Sequence, residues 1–143
     1  MSYPRATGRR RAREVAFRVA YQAGLLEESY AEAWHARGPE ERLRPDQRAL
    51  VDAVVAVLES RGAEVDGELR DAAEHWPLER LASTDRSVLR AAVAELIGCP
   101  GSPARVVIDE AIEIARRYGS EDSGRFVNGV LDRVARRLRP AEF

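Results

Sequence analysis

Apolar residues recur at steps of three and four along nearly the whole chain, and that period commits it to helices. Ala12, Ala16, Val19, Ala23 and Leu26 predict an amphipathic helix starting near Gly8 or Arg9. Ser29-Tyr30-Ala31-Glu32 has capping-box spacing and should open a short helix carrying Tyr30, Ala33 and Trp34, which Gly38-Pro39 ends. Pro45-Asp46 suits a first helical turn, where a missing amide donor costs nothing. Beyond it Leu50, Val54, Val57 and Leu58 line one face of a long helix. Gly62 bends or breaks that helix before Val65, Leu69 and Ala72 resume the pattern.

Pro77 then interrupts, and Leu78 and Leu81 form an apolar connector. Thr84 or Ser83 caps a helix carrying Val88, Leu89, Ala92, Val93, Leu96 and Ile97, stopped by Gly98 and Pro100. Pro103 starts another, with Val107, Ile108, Ala111, Ile112, Ala115 and Tyr118 inward and Gly119 at its end. A last helix runs from about Ser123 to Leu138 on the stripe Val127, Val130, Leu131, Val134 and Leu138, closed by Pro140. Asn128-Gly129 is a hairpin dipeptide where strands flank it. Here the stripe passes through it in phase, so the helix is kept. A mid-helix glycine costs about 1 kcal/mol relative to alanine. Close approach of a neighbouring helix is the expected compensation, ahead of a ligand that needs the backbone. No strand-like alternation of useful length occurs. The expectation is an all-α chain of about seven helices forming one domain over residues 1–143. Two small packed bundles, about 1–75 and 76–143, meet near Trp76-Pro77.

At 143 residues the chain can close a core of its own. Its formal net charge is −1, so any affinity for nucleic acid must come from local asymmetry. That asymmetry lies in the first twenty residues, where Arg5, Arg9, Arg10, Arg11, Arg13 and Arg18 face only Glu14. All 23 basic residues are arginine. Genomic codon bias accounts for this, and it suits bidentate phosphate binding. Cys99 is the only cysteine, which fits a reducing compartment. No apolar h-region follows the basic opening, and no apolar run approaches the roughly 18 residues of a membrane span. A cytoplasmic protein without membrane partners is expected.

The marks of an enzyme are missing. His35 and His75 lie far apart, and neither has a second ligand at metal-binding spacing. There is no P-loop or GxGxxG turn. Cys99, between Gly98 and Pro100, reads as structural. The adjacent acids Asp109-Glu110 and Glu121-Asp122 read as solvated helix faces. No catalytic residue, metal or cofactor is expected.

Two segments carry binding chemistry instead. Arg9-Arg10-Arg11-Ala12-Arg13 puts cations at a helix N-terminus, where each opposes the macrodipole by roughly 0.3–1 kcal/mol. A phosphate backbone lying across this helix start would relieve the repulsion. A solvated basic helix end is the plainer alternative. The second segment, residues 119–129, leads short polar residues into a helix whose first turns hold Arg125, Phe126 and Asn128. Phe126 stands at the margin of the apolar stripe. It is either a core residue or, beside Arg125, a platform on which an unstacked base can lie.

The order Arg9-Arg10-Arg11-Ala12-Arg13-Glu14, Ala20-Tyr21, Trp76 with Leu78 and Arg80-Leu81, Asp85-Arg86, Val88-Leu89-Arg90, Val107-Ile108-Asp109-Glu110-Ala111 and Phe126-Val127-Asn128-Gly129-Val130-Leu131-Asp132 resembles the NusB family of transcription antitermination factors. The last run is the most specific. Asp109 stands where the family commonly has Asn, and Arg125 where Lys is frequent. The resemblance implies two perpendicular helical bundles and binding to boxA, a short single-stranded element of nascent ribosomal RNA. It also implies a heterodimer with the ribosomal protein NusE, and action on RNA polymerase with other Nus factors to suppress premature termination. Carried over by position, Arg9, Arg10, Arg11, Arg13, Tyr21, Arg125 and Phe126 would line the RNA path. Asp85 and Asp122 would sit near that path or near the NusE contact, as charges that weaken phosphate binding. NusB-like domains also precede the catalytic half of some RNA methyltransferases, but no such half follows here. A protein-binding adapter or homodimer, its basic segment touching protein, is the remaining alternative.

Overall fold

In a computed structural model that describes residues 8–73 and 75–143, the apolar period resolves into six α-helices. They are α1 (Gly8–Leu26), α2 (Tyr30–Glu41), α3 (Pro45–Ala72), α4 (Ser83–Gly98), α5 (Ala104–Tyr118) and α6 (Ser123–Leu138). Single 3-10 turns at Leu78–Arg80 and Pro140–Glu142 complete the order, and no strand occurs among the described residues. The all-α expectation holds, with six α-helices and two short turns in place of about seven helices. Arg5 of the basic opening lies outside the described residues.

The helix ends follow local chemistry. Ser29 Oγ accepts from the Glu32 N–H at 3.0 Å and Glu32 Oε1 accepts from the Ser29 N–H at 3.0 Å, so the capping box is formed. Such a cap is worth about 1 kcal/mol. Gly38-Pro39 does not end α2. Pro39 forfeits only its own missing donor, and the helix runs on until Arg42 turns left-handed at φ 52°. The break in α3 falls one residue before Gly62, at Arg61 (φ −128°, ψ 28°), just after Ser60 returns its hydroxyl to the Ala56 carbonyl. Neither Ser83 nor Thr84 caps α4, which Ala82 precedes without a side-chain bond. Arg86 instead gathers the connector carbonyls of Leu78, Glu79 and Leu81.

Helix α4 is the centre of the molecule. Every residue from Ser87 to Leu96 except Arg90 is buried, because α1, α3, α5 and α6 all pack against it. Small residues permit this crowding: Ala91, Ala92 and Ala94 keep neighbouring helices close. The helix approach expected at Gly129 is found at Gly98, where an added Cβ would stand 2.7 Å from Val57 of α3. At Gly129 a Cβ would meet nothing within 4 Å, so that glycine leaves surface open rather than admitting a helix. Arg139 closes the far end by donating to the carbonyls of Leu96, Cys99 and Ser102, and Glu142 caps the free Ala104 N–H at 2.8 Å.

Candidate nucleic-acid interface

Helix α1 has no acid in its first turn, and Arg9, Arg10 and Arg11 follow one another there, all exposed. At 100° per residue, three consecutive side chains fan around the helix start instead of sharing one line. Two of them are held by carboxylates from other helices. Arg10 Nε donates to Glu110 Oε2 of α5 at 2.9 Å. Arg11 Nη2 donates to the Glu41 carbonyl at 2.7 Å and to Glu41 Oε1 at 3.4 Å, and Arg37 holds Glu41 Oε2 at 2.8 Å. Part of the dipole repulsion is therefore answered within the fold.

Arg13 departs from expectation. Its side chain is only 7% exposed, and it donates to both oxygens of the equally buried Glu95 at 2.7–3.0 Å and to Glu110 Oε1 at 3.1 Å. Burial works against its charge, and the Glu95 and Glu110 carboxylates outweigh that, holding its pKa above the ordinary value. The reason is helical phase. Arg13 lies three, four and seven residues before Ala16, Phe17 and Ala20, all on the buried stripe. It is an internal ion-pair residue that no outer surface presents. Glu110, expected on a solvated face, is likewise an ion-pair residue with 13% of its side chain exposed.

Helices α1 and α5 run side by side in the same direction. Past Arg10 and Glu110, Glu14 Oε2 accepts from Arg117 Nη1 and from the Tyr118 hydroxyl, both at 2.7 Å. Arg18 Nη2 reaches the same hydroxyl at 2.7 Å. Phe17 joins the seam from below, its ring 5.1 Å from Tyr118 and 6.2 Å from half-buried Tyr21. From Tyr118 the connector 119–122 leads directly to the start of α6, where Arg125 is exposed.

Phe126 is half-buried and neither pure core nor a free platform. Trp76, 59% exposed, meets it edge to face with ring centroids 6.1 Å apart. Clefts open on both sides of this pair. Arg125, Gly129 and Arg133 border one, and Arg80, Asp85 and Asp122 border the other. Asp85, from α4, and Asp122, from the connector before α6, thus line one cleft. Asp85 Oδ1 is buried there without a hydrogen-bond partner among the described residues, and Asp122 precedes α6 without capping it. The residues that sequence reasoning missed here are Trp76 and Arg80 in the cleft, and Glu41, Glu95 and Glu110 behind the arginines.

Burial raises the Cys99 thiol above its usual pKa, against thiolate reactivity. Among the described residues no group of three His, Cys, Asp or Glu side chains is placed to hold a metal ion, and no helix is long and apolar enough to cross a membrane.

Known proteins match the chain over most of its length. The transcription antitermination protein NusB of Sorangium cellulosum (strain So ce56) is 42% identical over 134 residues, covering 94% of this chain and 93% of that protein. The one from Koribacter versatilis (strain Ellin345) is 40% identical, covering 91% and 90%. Among solved structures, T. maritima NusB superposes with a TM-score of 0.81 at 35% identity, covering 91% of this chain and 92% of that one. A crystal structure of antitermination factors NusB and NusE in complex with dsRNA gives a TM-score of 0.74 at 28% identity, covering 90% and 96%. The profile of the NusB family spans residues 10–136, and with that match the chain belongs to the NusB family.

Proposed function

We propose that this chain is a non-enzymatic, cytoplasmic antitermination factor that binds boxA in nascent ribosomal RNA together with NusE. Loaded on RNA polymerase with other Nus factors, it suppresses premature termination. The observation that carries the reading is the row of side-chain contacts from the exposed arginines of α1, along Glu14 and Arg18 to Tyr118, whose connector 119–122 leads into the helix that bears the Trp76–Phe126 corner. Cations at one end, and the exposed Trp76 ring beside half-buried Phe126 at the other, suit a single strand, since phosphates pair with the first and unstacked bases lie on the second. The related NusB–NusE–RNA complex supports the choice of partners.

Within this reading Arg9, Arg10, Arg11 and Arg125 contact phosphates, while Tyr21, Trp76 and Phe126 offer ring surface. Asp85 and Asp122 sit in the cleft as charges that hold phosphates off or meet NusE. The test is binding of a boxA RNA and a scrambled RNA of equal length, with and without NusE. The boxA strand should bind more tightly than the scrambled one, and NusE should widen the gap. Equal affinity for both strands in the presence of NusE rejects the reading. The logarithm of the affinity should also fall linearly with the logarithm of salt, with a slope of about 0.7 per phosphate neutralised on a single strand. The adapter alternative predicts no such slope.

A further inference from the structure

We propose that Glu110 and Glu41 are built-in competitors of RNA phosphate for the arginines of α1, and that a second arginine on each carboxylate keeps the competition reversible. The inference rests on the RNA-binding reading of α1 and adds what sets its strength.

The same arrangement occurs twice. Glu110 divides its oxygens between Arg10, at 2.9 Å on Oε2, and Arg13, at 3.1 Å on Oε1. Glu41 divides its own between Arg11, at 3.4 Å on Oε1, and Arg37, at 2.8 Å on Oε2. In each trio the carboxylate is nearly buried, at 13% and 11% side-chain exposure. The α1 arginine is the open member, at 44% for Arg10 and 47% for Arg11. The other arginine sits deeper, at 7% for Arg13 and 26% for Arg37.

A phosphate that takes the Nε edge of Arg10, the edge needed for a bidentate grip through Nε and Nη, displaces Glu110 Oε2. With Arg10 as sole partner, the displacement would strand a nearly buried carboxylate without compensation, a strongly unfavourable outcome. Arg13 prevents this because it stays on Oε1. Arg37 does the same for Glu41. The exposed arginines are thus held in place while no RNA is bound, released when phosphate arrives, and bound less tightly than bare arginines would be. Arg13 is a positioning residue here, acting through Glu110.

The experiment is a double-mutant cycle on RNA affinity, with wild type, Glu110→Gln, Arg10→Gln and the double variant titrated with boxA RNA over a range of salt. Glu110→Gln should tighten binding about two- to fivefold, the scale of a partly exposed ion pair. In the Arg10→Gln background the same change should do nothing. A loss or no change on Glu110→Gln overturns the inference, as does an equal gain with and without Arg10, which would mark a general charge effect. A wild type that binds no boxA RNA defeats the functional reading itself, whereas binding without a Glu110 effect defeats this inference alone. If Glu110→Gln melts much earlier than wild type, Glu41→Gln with Arg11→Gln carries the same cycle, with the same outcomes deciding it.

Discussion

Arg13→Ala should remove about 3–5 kcal/mol of folding stability, the largest loss expected from any single charged residue in the chain. The change strands Glu95, 2% exposed in the last turn of α4, whose carboxylate takes three hydrogen bonds from Arg13. A domain of this size has only about 5–15 kcal/mol in total, so the melting temperature should drop by roughly 10 °C or more. Replacing the pair together, as Arg13→Met with Glu95→Leu, should recover most of that loss, because the deepest carboxylate leaves with its partner and Glu110 keeps Arg10 on Oε2. Thermal melts of the three proteins check this. A loss under about 1 kcal/mol for Arg13→Ala would mean that the guanidinium points outward, as the charge run alone suggested.

The second large effect concerns binding. Arg9→Gln with Arg11→Gln should weaken boxA RNA binding by about a hundredfold or more at low salt, since a charge-assisted bond is worth about 1.5–3 kcal/mol at Arg9 and less at Arg11, which already spends part of its capacity on Glu41. The salt slope should become shallower by about 1.4, two phosphates at 0.7 each. Melting should change little, because both side chains are exposed. Fluorescence anisotropy of labelled RNA across salt concentrations measures both quantities. An unchanged slope would show that the helix start neutralises no phosphate.

The helices could be read from the chain because their apolar stripes are long and unbroken, α5 and α6 above all. What the stripe could not reveal were partners brought from elsewhere. The charge run groups Arg13 with its basic neighbours, although its phase matches Ala16, Phe17 and Ala20; here a charge run masks a period. Its mate left a trace too. Glu95 is the lone acid inside Ala91–Leu96, and an acid in the middle of an apolar run asks for a cation. Gly98 and Gly129 show the limit of local reasoning. Gly98 reads as a helix stop and Gly129 as a mid-helix glycine, and only the position of α3 shows that it is Gly98 that is crowded. The contact of Trp76 with Phe126, and the cleft that Asp85 and Asp122 share, depend on how α4 and α6 pack. Family order hinted at these residues one by one, and spacing had nothing to say about their contact.

The central claim is that the start of α1 and the Trp76–Phe126 corner serve one strand of RNA together. Backbone amide chemical shifts recorded as boxA RNA is added test it directly. The account predicts responses in the first three turns of α1 and from Tyr118 to Phe126 in the same titration, with the same midpoint. The outer α2–α3 cleft, where Arg48 lies over the Trp34 ring, should stay silent. Responses confined to one end of the seam, or centred on that outer cleft, would contradict it.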